Sequence, residues 1–228
     1  MIRRDYILRM IAECVRMLAR INSLKRDQRW NEAAEALDAE FQRLAGAGAQ
    51  AVARLSETEL LARLIAGEST QTVRHKTLVL TTLLKEAGDV AAGQNRPDES
   101  RECYLKALNL LLETLAREEV FEFPEFVPKV ELLVAALAND VLPMRTHARL
   151  MQHYERAGNF AKAEDALFAM LEAEPDNAAL VEFGLTFYQR LLAQSDAALN
   201  AANLPRPEAE EGQKELQRRQ PRGGWPGS

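Results

Sequence analysis

The chain has 228 residues, 47% of them hydrophobic, which is enough to bury a substantial core and too apolar for a disordered protein. Its formal net charge of -5 excludes the strongly basic balance that draws a domain to nucleic acid, so no nucleic-acid partner is expected. Aromatic residues make up only 6%, Ala, Leu, Glu and Arg are abundant, and Gly and Pro are sparse before residue 204; the expected class is all-α.

The first segment places Ile7, Met10, Ile11, Cys14, Leu18, Ile21 and Leu24 at helical spacing, which predicts a long helix. After a turn around Asp27, Ala33, Ala34, Leu37, Phe41 and Leu44 share one face of a second helix that Gly46 and Gly48 terminate. Ser56 with Glu59 three residues later is a capping box that opens a short third helix through Leu60, Leu61, Leu64 and Ile65. A fourth helix covers about 70–93, and Pro97 sits in the first turn of a fifth that runs to Ala116. An aromatic connector with Phe121, Phe123 and Phe126 follows, then a sixth helix through Leu132, Leu133, Ala136 and Leu137. The seventh starts after Pro143 and ends at Gly158, and the eighth runs from Phe160 until Pro175 stops it. A ninth is expected from Ala178 to about Asn200. From Leu204 onward charged residues, Pro and Gly predominate, and the composition predicts a disordered tail over 204–228.

Residues 144–177, MRTHARLMQHYERAGNFAKAEDALFAMLEAEPDN, resemble a tetratricopeptide repeat. Leu150, Tyr154, Gly158, Ala163, Leu167 and Pro175 match the family pattern, while His147, Met151 and Met170 depart from it. The two methionines stand where small residues are usual, which requires a wider helix separation or a small partner. Weaker copies lie at Leu84, Ala87, Gly88, Ala91, Ser100, Tyr104 and Ala107, and at Ala33 and Leu37. Ala33, Ser100 and Ala163 mark one register, 67 and 63 residues apart, close to twice the family period of about 34 residues. This reads as one helical-repeat domain over 1–203, with units of about 1–69, 70–142 and 143–200. The resemblance implies antiparallel pairs in a right-handed solenoid of about nine helices; a closed bundle is the alternative. The opening residues MIRRDYILRMIAE also resemble the start of a family of uncharacterised bacterial proteins, a likeness that implies no mechanism.

In a tetratricopeptide-like array the first helix of each pair lines a groove. Arg145, Arg149, Gln152 and Arg156 lie within about 60° of one another on such a helix and form a polar stripe suited to an acidic peptide, with Lys85 contributing from the neighbouring unit. The structural alternative is a solvated face. Phe121, Phe123 and Phe126 are either a docking patch or residues tucked under the adjoining helices. Helix one carries seven basic residues against two acids in residues 1–26, suiting an acidic partner or an anionic surface if its apolar face is not all core.

His75, His147 and His153 are not spaced as a metal set, and Cys14 and Cys103 have no CxxC partner and read as core thiols, so no metal or cofactor is expected. The chain contains no run apolar enough to span a membrane and no signal-peptide pattern, giving a cytoplasmic expectation. The expected function is a non-enzymatic scaffold that holds a protein or peptide. The alternatives are a self-associating structural or regulatory protein, such as a homodimer, and an enzyme whose site has no local signature.

Overall fold

The apolar stripe of the first segment folds as α1 (Ile2–Arg26), and Ile7, Met10, Cys14, Leu18, Ile21 and Leu24 are all buried in the computed structural model. The structure describes residues 2–65, 69–117 and 123–219, with side chains from residue 7 onward. Every described element is helical, and no strand occurs among the described residues, in keeping with the all-α composition. No helix among them is long and apolar enough to cross a membrane.

Two compact units divide the chain, Met1–Val141 and Leu142–Ser228. The first contains α1, α2 (Trp30–Ala45), α3 (Ala49–Arg54), α4 (Glu57–Ile65), α5 (Thr70–Gly93), α6 (Pro97–Ala116) and α7 (Val130–Ala136). The second contains α8 (Met144–Arg156), α9 (Phe160–Ala173), α10 (Ala178–Leu192), α11 (Asp196–Ala201) and α12 (Arg206–Arg219).

Three helix pairs, α1/α2, α5/α6 and α8/α9, turn on the same backbone motif. Gln28, Asn95 and Gly158 each adopt left-handed φ, at 56°, 57° and 72°. Their N–H groups donate to the carbonyls of Lys25, Ala92 and Glu155 at 3.0–3.1 Å. The next residues, Arg29, Arg96 and Asn159, donate to Leu24, Ala91 and Tyr154 at 2.8–2.9 Å. This is the Schellman arrangement, in which a left-handed residue lets two amides close onto the last carbonyls of the outgoing helix. Arg29, Arg96 and Asn159 then serve as N-caps, and their carbonyls accept from the amides of Ala33, Ser100 and Ala163. The register read from those three small residues is thus a register of identical turns, and all three are buried.

Within the first unit α5 and α6 pack along their lengths, and α2 lies across α5. Buried Thr77, Thr82 and Thr114 are tolerated there because they return their hydroxyls to the carbonyl four residues earlier, at 2.9–3.0 Å. At the α5/α6 crossing a Cβ on Gly88 would lie 3.0 Å from the Tyr104 ring, so a small residue in one helix accommodates the bulk in the other. The capping box forms: the Ser56 amide and hydroxyl both donate to Glu59 Oε2, and the Glu59 amide donates to Ser56 Oγ.

In the second unit α8 pairs with α9, and α10 packs on α12. Leu150, Met151, Tyr154, Ala163, Leu167 and Met170 are all buried. Among the described residues there are twelve helices where nine are expected, and the differences have local causes. Asp38 accepts from the Ala49 amide at 2.8 Å and starts α3 in a stretch that Gly46 and Gly48 mark as loop. Ser195 accepts from the Ala198 amide and starts α11, breaking the ninth expected helix in two. The tail expected from Leu204 is corrected as well. Residues 206–219 form α12, whose Ala209 and Leu216 are buried although the segment as a whole is polar. Gly184 of α10 admits Leu216, whose Cδ2 would lie 2.3 Å from a Cβ there, and Gly212 of α12 sits against the Tyr188 hydroxyl.

Candidate functional site

The first unit holds a cleft of about 490 Å³ bounded by α2, α3, α5 and α6. Its floor is built from side chains too small to fill the space between four helices: Ala34, Ala53, Ala87 and Ala91, with Leu37 and Val90 beside them. Its walls are charged. Glu35 and Asp38 stand one turn apart on α2, Glu99 and Glu102 one turn apart on α6, and Arg96 is the only basic residue of the lining.

Polar contacts hold these walls in place. Asp38 holds the first amide of α3, and Lys106 Nζ donates to the carbonyl of Leu55 at 2.5 Å, just past the end of that helix. Lys106 also pairs with Glu57 at 3.3 Å, fastening α6 to the start of α4. Arg96 pairs with Glu99 at 2.6 Å, and Arg54 approaches Glu102 at 3.6 Å. Glu35 is exposed and has no ion-pair partner among the described residues. The cleft can take an apolar side chain on its floor and cations on its rim.

A second polar constellation lies where α1 and α6 meet α5. Lys25 Nζ donates to Glu86 Oε2 at 2.5 Å and to Asp89 Oδ2, and Lys85 Nζ reaches Glu86 Oε1 and Asp89 Oδ2 at 3.0 and 2.9 Å. Tyr104 donates to Asp89 Oδ1 at 2.6 Å. Burial would raise the Asp89 carboxyl, but the hydrogen bonds from Lys25, Tyr104 and Lys85 outweigh it and hold the group below its ordinary value. Burial likewise opposes the Lys85 ammonium, and Glu86 and Asp89 reverse the balance so that its pKa rises. Burial first, then the bond to Asp89, pushes the Tyr104 phenol upward. Each charge is compensated inside the cluster, which suits a lock between helices.

The residues nominated by the sequence are dispersed. Arg145, Gln152 and Arg156 are exposed on α8 and Arg149 is half-buried there, whereas Lys85 belongs to the first unit and is committed to Glu86 and Asp89. Phe123 and Phe126 are half-buried, and Phe121 lies outside the described residues. Cys14 and Cys103 are buried free thiols whose pKa values burial pushes up to about 12, and Cys103 also contributes to the cleft lining. No group of His, Cys, Asp and Glu able to hold a metal occurs among the described residues. The cleft itself has no sequence signature beyond alanines next to acids on two helices.

These features define an all-helical protein with a repeated helical hairpin and a preformed acidic-rimmed cleft. The chain belongs to the family of unknown function DUF6483, whose model matches residues 1–221. No curated protein and no solved structure matches the chain.

Proposed function

We propose that this protein is a non-enzymatic scaffold that holds a segment of another protein, and that the cleft between α2, α3, α5 and α6 is where it does so. The observation that carries the reading is the cleft: an apolar floor left open among four helices whose facing ends are already fixed by side-chain contacts. Such preorganisation lowers the entropy cost of binding. The tetratricopeptide-like character of the hairpins belongs to the same proposal and is supported by the shared turn register at Gln28, Asn95 and Gly158. In the second unit the exposed Arg145, Gln152 and Arg156 of α8 offer a further surface to an acidic segment. Affinity capture on the immobilised full chain, followed by reconstitution with each purified candidate, tests the reading. A stoichiometric complex with a host protein is expected; failure of every captured candidate to reconstitute would refute it.

Self-association is the second reading, favoured by α1. Leu8 and Val15, 55% and 50% exposed, lie two turns apart on the face away from the core, with exposed Ala12 and Ala19 between and beyond them. Sedimentation of the wild type and of Leu8→Glu/Val15→Glu separates the two. A dimer that the double variant dissolves supports it, and a wild-type monomer at high concentration removes it.

A further inference from the structure

The rim chemistry of the cleft specifies its partner further than the scaffold reading does. Two opposed walls each present a pair of carboxylates at i and i+3, Glu35 with Asp38 on α2 and Glu99 with Glu102 on α6. Against these four acids stand Arg96, which pairs with Glu99, and Arg54, outside the lining and 3.6 Å from Glu102, so the rim keeps an excess of negative charge. An acidic segment would bring like charge against both walls and lose the encounter. Part of the lining is apolar and still accessible, at Ala34, Ala39 and Ala49 over the buried Ala53, Ala87 and Ala91, and a purely charged ligand would leave that surface in water. The volume admits side chains but not the body of a helix, which is about 10 Å across. The occupant therefore lies over the cleft and inserts into it.

We infer that the cleft receives a cationic amphipathic segment of a partner protein, with one or two large apolar side chains on the alanine floor and Lys or Arg side chains on both flanks against Glu35, Asp38, Glu99 and Glu102. The proposal rests on the scaffold reading and names the chemistry of its ligand. Apolar insertion supplies the affinity and the carboxylate walls fix orientation and partner choice, because exposed ion pairs contribute little energy but penalise the wrong charge. Glu35, with its carboxylate uncommitted, is the strongest of the four contacts. Glu99 exchanges its internal partner Arg96 for the incoming cation.

A random linear-peptide display library panned on the full chain tests this, followed by synthesis of the enriched sequences. The expected result is enrichment of peptides with an apolar residue flanked by Lys or Arg at helical spacing. Their binding should fall as salt is raised, and Ala34→Phe, which fills the floor, should weaken it about tenfold or more. Glu35→Gln/Glu102→Gln, at solvent-accessible positions, should weaken it several-fold and flatten its salt dependence, so the test survives if the filled variant fails to fold. No enrichment, enriched peptides without excess positive charge, or binding indifferent to these variants would overturn the proposal. A host partner that reconstitutes equally well with wild type and with Ala34→Phe would leave the scaffold standing and remove this cleft from it.

Discussion

The two units secure their helices by opposite chemistry. In the first, α1 and α6 are fastened to α5 through charge, with the ammoniums of Lys25 and Lys85 shared between Glu86 and Asp89 and the Tyr104 phenol closing the cluster. In the second, α12 is fastened to α10 by close approach: Leu216 enters the space left by Gly184, and Gly212 lies against Tyr188. Polar contacts flank that seam: the Tyr188 hydroxyl donates to Glu164 Oε1 at 2.5 Å, and Arg206 at the start of α12 donates to the carbonyl of Leu192 at the end of α10 at 2.9 Å. A charge cluster tolerates partial hydration and remains adjustable at a surface, whereas a glycine seam depends on shape. The unit with the adjustable lock is also the one with the open cleft.

The largest expected effect is on the seam. Leu216 is fully buried and Leu→Ala at such a site removes both transfer free energy and packing, about 3 kcal/mol. Hydrogen exchange should show loss of protection in α12 and in the facing part of α10, with residues 7–117 unchanged. Equal loss of protection in the first unit would show that the two locks are not independent.

Next in size is Lys25→Met. It takes one of two cations from a pair of carboxylates of which Glu86 is only 7% exposed in its side chain, and uncompensated buried charge is costly. Because Lys85 remains and Lys25 is not fully buried, the expected loss is about 2 kcal/mol rather than the larger figure for an isolated buried pair. Urea unfolding measures it. A neutral outcome would mean that Lys85 alone satisfies both acids.

Smaller still, and opposite in sign between the units, is the response to mild acid. Asp89 has a folded pKa below its unfolded value, so its contribution is present above the unfolded value and is lost as pH falls through the folded one, below about 4. Glu164 is raised, first by burial, with Glu208 and Asp165 adding to the effect and the Tyr188 bond opposing it. A carboxyl raised on folding binds its proton more tightly in the folded state, so the penalty it imposes at neutral pH is relieved as pH falls through its folded value. Exchange rates compared at pH 5 and below pH 4, corrected for intrinsic chemistry, should show α5 and α6 loosening relative to α9 and α10. Parallel loosening of both would contradict the assignment.

These contrasts also explain what the sequence revealed. Features written in local spacing were legible: the Ser56 and Glu59 box, the apolar stripe of α1, the stop before Pro175, and the common register of Ala33, Ser100 and Ala163. What escaped depends on residues far apart in the chain. The start of α3 needs Asp38 eleven positions earlier, and α12 is ordered by glycines placed at Gly184 in another helix and at Gly212 in its own. Arg206 illustrates the same point. Its guanidinium holds the carbonyls of Leu192 and Gln194 at 2.9 and 2.7 Å and pairs with Asp196, fixing the joint between α10 and α11 from the start of what reads as a tail. The cleft is the extreme case, because it is made by missing volume contributed from four helices, and no single segment carries a pattern for it.

The smallest effect tests the one element both units share. Four of the five left-handed positions among the described residues carry residues suited to them: Gly46 and Gly158, where φ is 66° and 72°, and Asn95 and Asn203, whose short polar side chains tolerate the conformation. The fifth is Gln28, at φ 56°, with a longer side chain that gains no such local advantage. Its amide and that of Arg29 still close the Schellman bonds to Lys25 and Leu24 at 3.1 and 2.9 Å, so the turn is fully formed and the misfit lies in the residue alone. Gln28→Gly should therefore stabilise the first unit by up to about 1 kcal/mol, the left-handed penalty less the extra entropy that glycine loses on folding. Gly158→Ala should destabilise the second unit by a similar amount, since it introduces a Cβ where φ is positive even though nothing lies within 4 Å of it. Thermal unfolding of the two variants, followed unit by unit through hydrogen exchange, should give shifts of opposite sign. Shifts of the same sign would mean that the turn is not the common structural element of the hairpins.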